Sequence, residues 1–253
     1  MTKTKKNEPS NSAMSFGEHI DEFRKRIIYC LLGIGICLVF TLIFGTNIID
    51  LFKAPYLNAV DSDTLLQTLA PTDGFNSYVK LCIISAVVLS SPWSIYQIWK
   101  FIEEGLYSKE KIYFQYFIPL CIILFVAGAS FLMYIVAPLV MKFLLSFNKN
   151  VLGVQSFFSF PKYISFISGL ILVFGIVFQT PIIVLFLNKS DIISMDSLIR
   201  SRKFVFWSVF VIAAIITPPD VVSQLCLALP MYLLFEIGIL LCKYTQNSSL
   251  PER

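Results

Sequence analysis

Hydrophobic residues in this chain are gathered into six long runs separated by polar gaps. The runs cover residues 27–45, 75–91, 113–136, 163–187, 204–216 and 225–241. Lys80 and Glu236 are the only formal charges inside them. About 20 apolar residues in a helix cross the ~30 Å hydrocarbon core of a membrane, and a crossing backbone must satisfy its own hydrogen bonds. The pattern therefore predicts an all-α integral membrane protein with six transmembrane helices, the last two of them short.

Basic residues collect in alternate gaps, and this distribution predicts the orientation of the chain. Fifteen of the 20 lysines and arginines lie in the N-terminal segment, the second and fourth gaps and the C-terminal tail, against four in the other three gaps. Cytoplasmic loops of membrane proteins carry this excess, so both termini are predicted to be cytoplasmic. We expect a disordered tail at 1–13, a single membrane domain at 14–244 and a short cytoplasmic tail at 245–253.

Composition supports a membrane protein and argues against several other classes. The chain is 57% hydrophobic and 14% charged, with a mean hydropathy of +0.76, which is too apolar for a soluble surface. Its basic residues are dispersed, so no nucleic-acid partner is expected. The six cysteines lie in or beside apolar runs without a CxxC motif, which is typical of packing residues. His19 is the sole histidine, and the sequence contains no phosphate-binding or protease motif. We therefore expect no metal site, no cofactor and no enzymatic activity.

The outer gaps are predicted to cover the membrane domain. Residues 46–72 and 137–162 are apolar enough to pack over it as a cap, and Pro55 is expected to break the first of these segments. Pro218 and Pro219 are expected to end the fifth helix, and Asp220 to cap the sixth. On the opposite side, residues 15–27 have the pattern of an amphipathic helix that runs into the first span.

Carboxylates on the predicted cytoplasmic face allow two interpretations. They are Glu22 before the first span and Glu103, Glu104 and Glu110 in the second gap. Local pairing, such as Glu22 with Arg26, would explain any one of them. Alternatively, Glu22 and Glu110 converge on a cationic ligand, for which the planar fork of arginine is the best match.

Several motifs in this sequence resemble one known family. His19-Ile-Asp-Glu-Phe-Arg-Lys-Arg26 is similar to the opening motif of the TatC family, the receptor subunit of the twin-arginine protein translocase. Further similar motifs follow in family order: Lys53-Ala-Pro-Tyr-Leu57, Tyr96-Gln-Ile-Trp-Lys-Phe-Ile102, Gly105-Leu-Tyr-Ser-Lys-Glu110, Phe174-Gly-Ile-Val-Phe-Gln-Thr-Pro181, Thr217-Pro-Pro-Asp-Val-Val-Ser-Gln224 and Pro230-Met-Tyr-Leu-Leu-Phe-Glu-Ile-Gly238. The resemblance spans residues 15 to 242.

The resemblance implies a receptor and scaffold for the export of folded proteins, driven by the proton-motive force. Glu22 and Glu110 would recognise the paired arginines of a signal peptide. The residues implied in or beside the same patch are Arg24, Phe101, Leu106 and Tyr107. Further copies of the chain would assemble, in a bacterial cytoplasmic membrane or, alternatively, an organellar inner or thylakoid membrane.

Other implied roles lie in the membrane and at the outer side. Ala214, Ile215 and Thr217 resemble the face that docks the single-span partners TatB and TatA, Pro55 belongs to the outer cap, and Asp220 lies in the last outer hairpin. Many relatives have glutamate where this chain has Gln179, so a role that needs a charge at this position is lost but a hydrogen-bonding role is kept. The amide is expected either to bond backbone freed by Pro181 or to offer a hydrogen bond to a partner helix.

Two other classes of function stay open at this stage. A secondary transporter or small channel would use Lys80, Gln179 and Glu236 to line a polar path, and a membrane-embedded enzyme is a weaker third possibility.

Overall fold

The computed structural model describes residues 16–59, 66–104, 111–151, 153, 158–217 and 220–247. The predicted tail at 1–13 and most of the tail at 245–253 lie outside these residues. Ten α-helices and one π-helical turn, Leu132–Val136, make up nearly all of what is described. The α-helices are α1 Phe16–Ile43, α2 Gly45–Leu57, α3 Asp73–Leu89, α4 Ser91–Glu104, α5 Lys111–Phe131, α6 Ala137–Asn150, α7 Phe160–Val177, α8 Thr180–Lys189, α9 Met195–Ile216 and α10 Val221–Asn247.

Four helical segments are long and apolar enough to cross a membrane. They are Gly17–Ile43, Tyr116–Asn150, Phe160–Lys189 and Val221–Thr245. Helices α3 and α4 together form a fifth candidate that is bent by 50°. Helix α9 is not among them because every stretch of 18 residues within it contains Arg200, Arg202 and Lys203. The prediction of an all-α membrane protein is thus confirmed, and the count of six spans stays a prediction.

The last two helices are longer than their apolar runs. Helices α9 and α10 contain 22 and 27 residues. Only their apolar parts are short, whereas the sequence predicted that the helices themselves would be short. Helix α9 begins near Asp196 and passes through its basic residues before the apolar run starts. Helical geometry needs only local hydrogen bonds, so a helix continues into polar sequence when favourable capping allows, here by the side chain of Ser194 on Ser197 N–H.

Helix α1 runs antiparallel to α3 and α4. The Trp93 indole N–H donates to the Tyr29 carbonyl at 2.9 Å, near the middle of α1. Towards the end of α1, the hydroxyl of Thr41 donates to the Cys82 carbonyl at 2.9 Å, and that of Tyr78 to the Leu42 carbonyl at 2.8 Å. The predicted amphipathic helix at 15–27 and the first span are therefore one continuous helix that pairs along its length with the bent α3–α4 unit.

Helices α2 and α6 pack at one end of the bundle, called here the α2 end. The buried hydroxyl of Tyr163 donates to the Phe52 carbonyl at 2.8 Å, and the backbone of Gln67 pairs with that of Phe158 and Phe160. Pro55 does not break the segment as expected: it is buried inside α2, which runs on to Leu57. A proline removes only one helical donor, and here the helix ends two residues later.

Two glycines let helices α5 and α7 approach closely. A Cβ atom on Gly128 would lie 2.7 Å from the Phe178 ring and 2.9 Å from the Phe174 carbonyl oxygen, and one on Gly175 would lie 2.5 Å from the Phe125 ring. Real Cβ atoms do not approach other heavy atoms this closely, so larger residues would push the helices apart. Small residues at such crossings are the usual means of close packing in membranes.

Substituting Gly128 by alanine should therefore lower stability. We expect a loss of ~1–3 kcal/mol from overpacking, measured as a lower thermal midpoint of the purified protein in detergent. Gly169→Ala is the matched control, because no atom lies within 4 Å of a Cβ built there and alanine favours a helix by about 1 kcal/mol. Equal midpoints for the two variants would show that the α5–α7 contact is not tight.

Candidate functional site

An arginine on α1 is held by three side chains at the end of the bundle opposite the α2 end. Nη2 of Arg26 lies 2.7 Å from Glu22 Oε1 and 2.6 Å from Glu104 Oε1, and Nη1 donates to Gln97 Oε1 at 3.0 Å. We call these four residues the Arg26 clamp. Hydrogen bonds between ionised groups are roughly twice as strong as those between neutral groups. The clamp uses such bonds to fasten the start of α1 to Glu104, the last residue of α4.

Helical spacing explains how each partner reaches Arg26. Glu22 stands one turn before Arg26 on α1, at the i,i+4 spacing that brings side chains together. Gln97 and Glu104 are seven residues apart on α4, which is two turns, so both lie on the same face of that helix. The clamp is mostly shielded from solvent, with side-chain exposures of 12% for Arg26, 18% for Glu22 and 23% for Glu104.

Two carboxylates in the clamp share a single guanidinium, which leaves acceptor capacity unused. The second oxygen of Glu104 is buried and has no hydrogen-bond partner among the described residues. Lys25 lies 3.9 Å from Glu22, but its side chain is 62% exposed, and exposed pairs contribute little. The arrangement is therefore chemically suited to attract and hold a cationic donor.

Aromatic and apolar side chains lie beside the clamp. The Phe101 ring stacks on His19 at 4.5 Å between ring centroids and meets Phe23 at 5.3 Å. Ile20 and Phe23 remain half-exposed on the same helix. This places a cluster of charged side chains next to an apolar surface, a combination suited to a peptide that carries both kinds of residue.

The structure brings together some of the residues expected at this site. Glu22 and Phe101 are both on the α1–α4 contact, whereas Arg24 is exposed on α1. Leu106, Tyr107 and Glu110 lie outside the described residues. Local pairing of Glu22 with Arg26 was foreseen, but Gln97 and Glu104 as its partners were not, because only the tertiary contact of α1 with α4 reveals them.

Gln179 occupies the break between α7 and α8. Its amide nitrogen donates to the Cys121 carbonyl on α5 at 3.1 Å and to the Gly175 carbonyl at 3.3 Å. Both acceptors are backbone carbonyls, one on α5 and the other in the last turn of α7. Its amide oxygen is buried and has no partner among the described residues.

Only two of the three residues expected on the docking face of α9 point outward. Ala214 and Ile215 are exposed, and Ile215 belongs to an exposed apolar stripe with Phe204, Trp207 and Val211. Thr217 is buried instead, and its hydroxyl donates to the Ala213 carbonyl at 2.8 Å. This bond closes the last turn of α9.

The two residues expected at the outer side have clear structural roles. Pro55 is buried in α2, and the Asp220 carboxylate accepts the Ser223 N–H at 2.7 Å. Asp220 thus caps α10 as predicted, near the positive end of the helix.

The residues proposed for a transport path are bonded to separate neighbours. Lys80 donates to the Ser165 hydroxyl at 2.8 Å, whereas Glu236 pairs with Arg202 at 2.9 Å and accepts from the Tyr232 hydroxyl at 2.8 Å. With Gln179 bonded to backbone carbonyls, none of the three contacts another. Arg202 was a partner that the sequence did not reveal. Among the described residues, no group of three metal-ligating side chains is present.

The long apolar helices, several of whose polar side chains bond neighbouring helices, define a multi-helix membrane protein. The sequence matches the model of the Sec-independent protein translocase protein (TatC) over residues 18–230. The chain belongs to the TatC family of protein translocase components. Family members are named as translocase components rather than enzymes.

Individual relatives match over almost their whole length. The TatC protein of Aquifex aeolicus is 37% identical over 91% of this chain and 95% of its own. TatCy of Bacillus subtilis is 34% identical over 100% of this chain and 98% of its own. A crystal structure described as the twin arginine translocase receptor TatC is 36% identical, with a TM-score of 0.81 over 90% of this chain and 99% of that one.

Proposed function

We propose that this chain is the receptor and scaffold of a twin-arginine translocase. It binds the twin-arginine signal peptides of folded cargo on the cytoplasmic face and recruits TatB-like and TatA-like partners and further copies of itself. The observation that carries the proposal is the Arg26 clamp, in which Glu22 and Glu104 hold a guanidinium in a chain of this family. A structure of similar fold is also described as a receptor.

The recognition chemistry rests on arginine's geometry. A guanidinium presents several N–H donors in one plane, which lysine's ammonium cannot match. Glu22, partly exposed beside Phe101 and Phe23, offers a charged acceptor next to an apolar surface. Glu110, which lies outside the described residues, is proposed as the second acceptor on the strength of the family motif. Together they would select a paired-arginine motif followed by apolar residues.

The proposed setting is a six-span domain at 14–244 with cytoplasmic tails at 1–13 and 245–253, in the bacterial cytoplasmic membrane. The distribution of basic residues supports this orientation. In this setting the bent α3–α4 unit, the fifth candidate, and α9 would be the two spans beyond the other four. The α2 end would then be the outer side, where α2 and α6 form the cap. The proton-motive force is the proposed energy source.

Partner docking is proposed at two membrane-depth features. The exposed stripe on α9 that includes Ile215 offers an apolar surface for a single-span helix. The buried amide oxygen of Gln179 can accept a hydrogen bond from such a helix, because lipid offers no competing donor.

Replacing Glu22 or Glu110 by alanine should weaken the binding of a twin-arginine peptide. A hydrogen bond to a charged group is worth ~1.5–3 kcal/mol, so we expect a roughly ten- to hundredfold rise in Kd per arginine contact, measured by fluorescence anisotropy. The double variant should be less than additive if both residues hold the same motif. Glu103→Ala removes the same charge from α4 and is the control. Undiminished binding by the double variant would remove both residues from the site.

The orientation can be checked with reporter fusions. A reporter placed after Lys109 or Arg202 should report the cytoplasm, and one placed within residues 61–63 or after Lys149 should report the outside, because of the positive-inside bias. Fusions at 109 and 149 that report the same side would contradict a span between them.

Gln179→Leu should leave peptide binding intact but reduce crosslinking to a partner helix and transport. The variant loses both the acceptor oxygen and the two bonds that the amide donates, with an effect of ~0.6–2 kcal/mol in a bilayer. Ile176→Leu, at an exposed position one turn earlier, is the control. Full transport by the Gln179→Leu variant would contradict a role in partner docking and leave Gln179 only the structural role of joining α5 to the break between α7 and α8.

A further inference from the structure

The signal-peptide site proposed above is already engaged by a residue of the chain itself. Arg26 Nη2 bridges Glu22 Oε1 and Glu104 Oε1, and Nη1 bonds Gln97 Oε1. Three acceptors from two helices therefore surround one guanidinium. This acceptor set is what an arginine of a peptide would need, and Glu22 is the carboxylate that the proposed function assigns to it.

We propose that Arg26 regulates the site by occupying its guanidinium subsite, and that an arginine of the signal peptide takes its place. The proposal rests on the proposed function and adds Gln97 and Glu104 to the residues that determine specificity. Because Nη1 and Nη2 both find acceptors, the subsite distinguishes a guanidinium from the ammonium of a lysine.

The geometry of the clamp favours an exchange over the addition of a second cation beside the first. The clamp carries two carboxylates and one guanidinium, a net charge of −1 that attracts a cationic peptide. Glu22 Oε1 and Glu104 Oε1 are already within 2.7 Å of Arg26, so an incoming guanidinium in this position must displace it. The second oxygen of Glu104, which is buried and has no partner among the described residues, can complete a bidentate contact with the incoming guanidinium once Arg26 has left.

The alternative is that Arg26 only fastens α1 to α4. The two possibilities predict opposite effects of its removal. A fastening residue, once lost, loosens the start of α1 and weakens peptide binding. A resident occupant, once lost, leaves the acceptors vacant and strengthens peptide binding.

The first experiment tests the subsite without any peptide. Arg26→Ala is purified in detergent, and its thermal midpoint is measured with millimolar ethylguanidinium or, for comparison, ethylammonium. Ethylguanidinium should restore part of the midpoint lost by the variant, and ethylammonium should not. Lys243→Ala, which removes an exposed positive charge from α10, should respond equally to both. An equal response of Arg26→Ala to the two cations would overturn the subsite.

The second experiment measures peptide affinity by fluorescence anisotropy. Arg26→Ala should bind a twin-arginine peptide about tenfold more tightly than the unaltered chain, by loss of one competing charge-assisted contact. Binding of a twin-lysine peptide should change by less, and adding Glu104→Gln should abolish the gain. Unchanged or weaker binding by Arg26→Ala would overturn the exchange. If that variant does not fold, Arg26→Lys keeps a charge between the carboxylates and should show the same direction of change.

The two experiments separate the inference from the function beneath it. Rescue by ethylguanidinium together with equal binding of both peptides by the unaltered chain would reject the signal-peptide function and keep a guanidinium subsite. Preference for the twin-arginine peptide without rescue would keep the function and reject the role of Arg26.

Discussion

Polar groups inside a membrane span have no water to bond, and this constraint governs where the helices of this protein break. An unsatisfied backbone group in hydrocarbon costs several kcal/mol, so each break needs a polar side chain. Tyr78 supplies a hydroxyl to the Leu42 carbonyl where α1 ends, and Ser90 bonds the Val87 carbonyl between α3 and α4. Gln179 bonds the Gly175 carbonyl between α7 and α8.

The same constraint shapes the turn between α9 and α10. Thr217 bonds the Ala213 carbonyl as α9 ends, and Asp220 accepts the Ser223 N–H as α10 begins. Further along α10, Glu236 is bonded by Arg202 and Tyr232 together. A charge in a low-dielectric environment is tolerated when it is paired and its remaining lone pairs are filled. Polar residues of this membrane domain therefore mark many of its bends and helix contacts.

A structural feature of this protein could be predicted from the sequence when it depends on residues that are close together along the chain. The helices follow from apolar runs and the cap of α10 from an aspartate at its start, since both depend on residues within a few positions. The continuation of α2 through Pro55 and the burial of Thr217 were missed, because a neighbouring helix decides them. The position of Trp99 also depends on a neighbouring helix. Aromatic residues near the end of a span are usually found at the membrane–water interface, but Trp99 is buried and its indole N–H donates to the Cys121 sulfur at 3.1 Å.

The Arg26 clamp shows the same limit and its physical origin. Glu22 and Arg26 are related by one helical turn, so their pairing could be foreseen. Gln97 and Glu104 reach Arg26 only because α4 turns away from α3 by 50° and lies against α1 in one register. Trp93 sets that register: its indole bonds the Tyr29 carbonyl, and its ring fills the space over Gly33, where a Cβ would lie 2.5 Å away.

A shift of α1 by one residue would move Arg26 by about 1.5 Å along the helix and 100° around it. Such a shift would take the guanidinium away from both partners on α4. The charged site is therefore positioned by an apolar contact two helical turns away, between a tryptophan and a glycine. Side chains at that contact decide whether the two carboxylates face the same point, and on the proposed function they would influence ligand recognition from a distance.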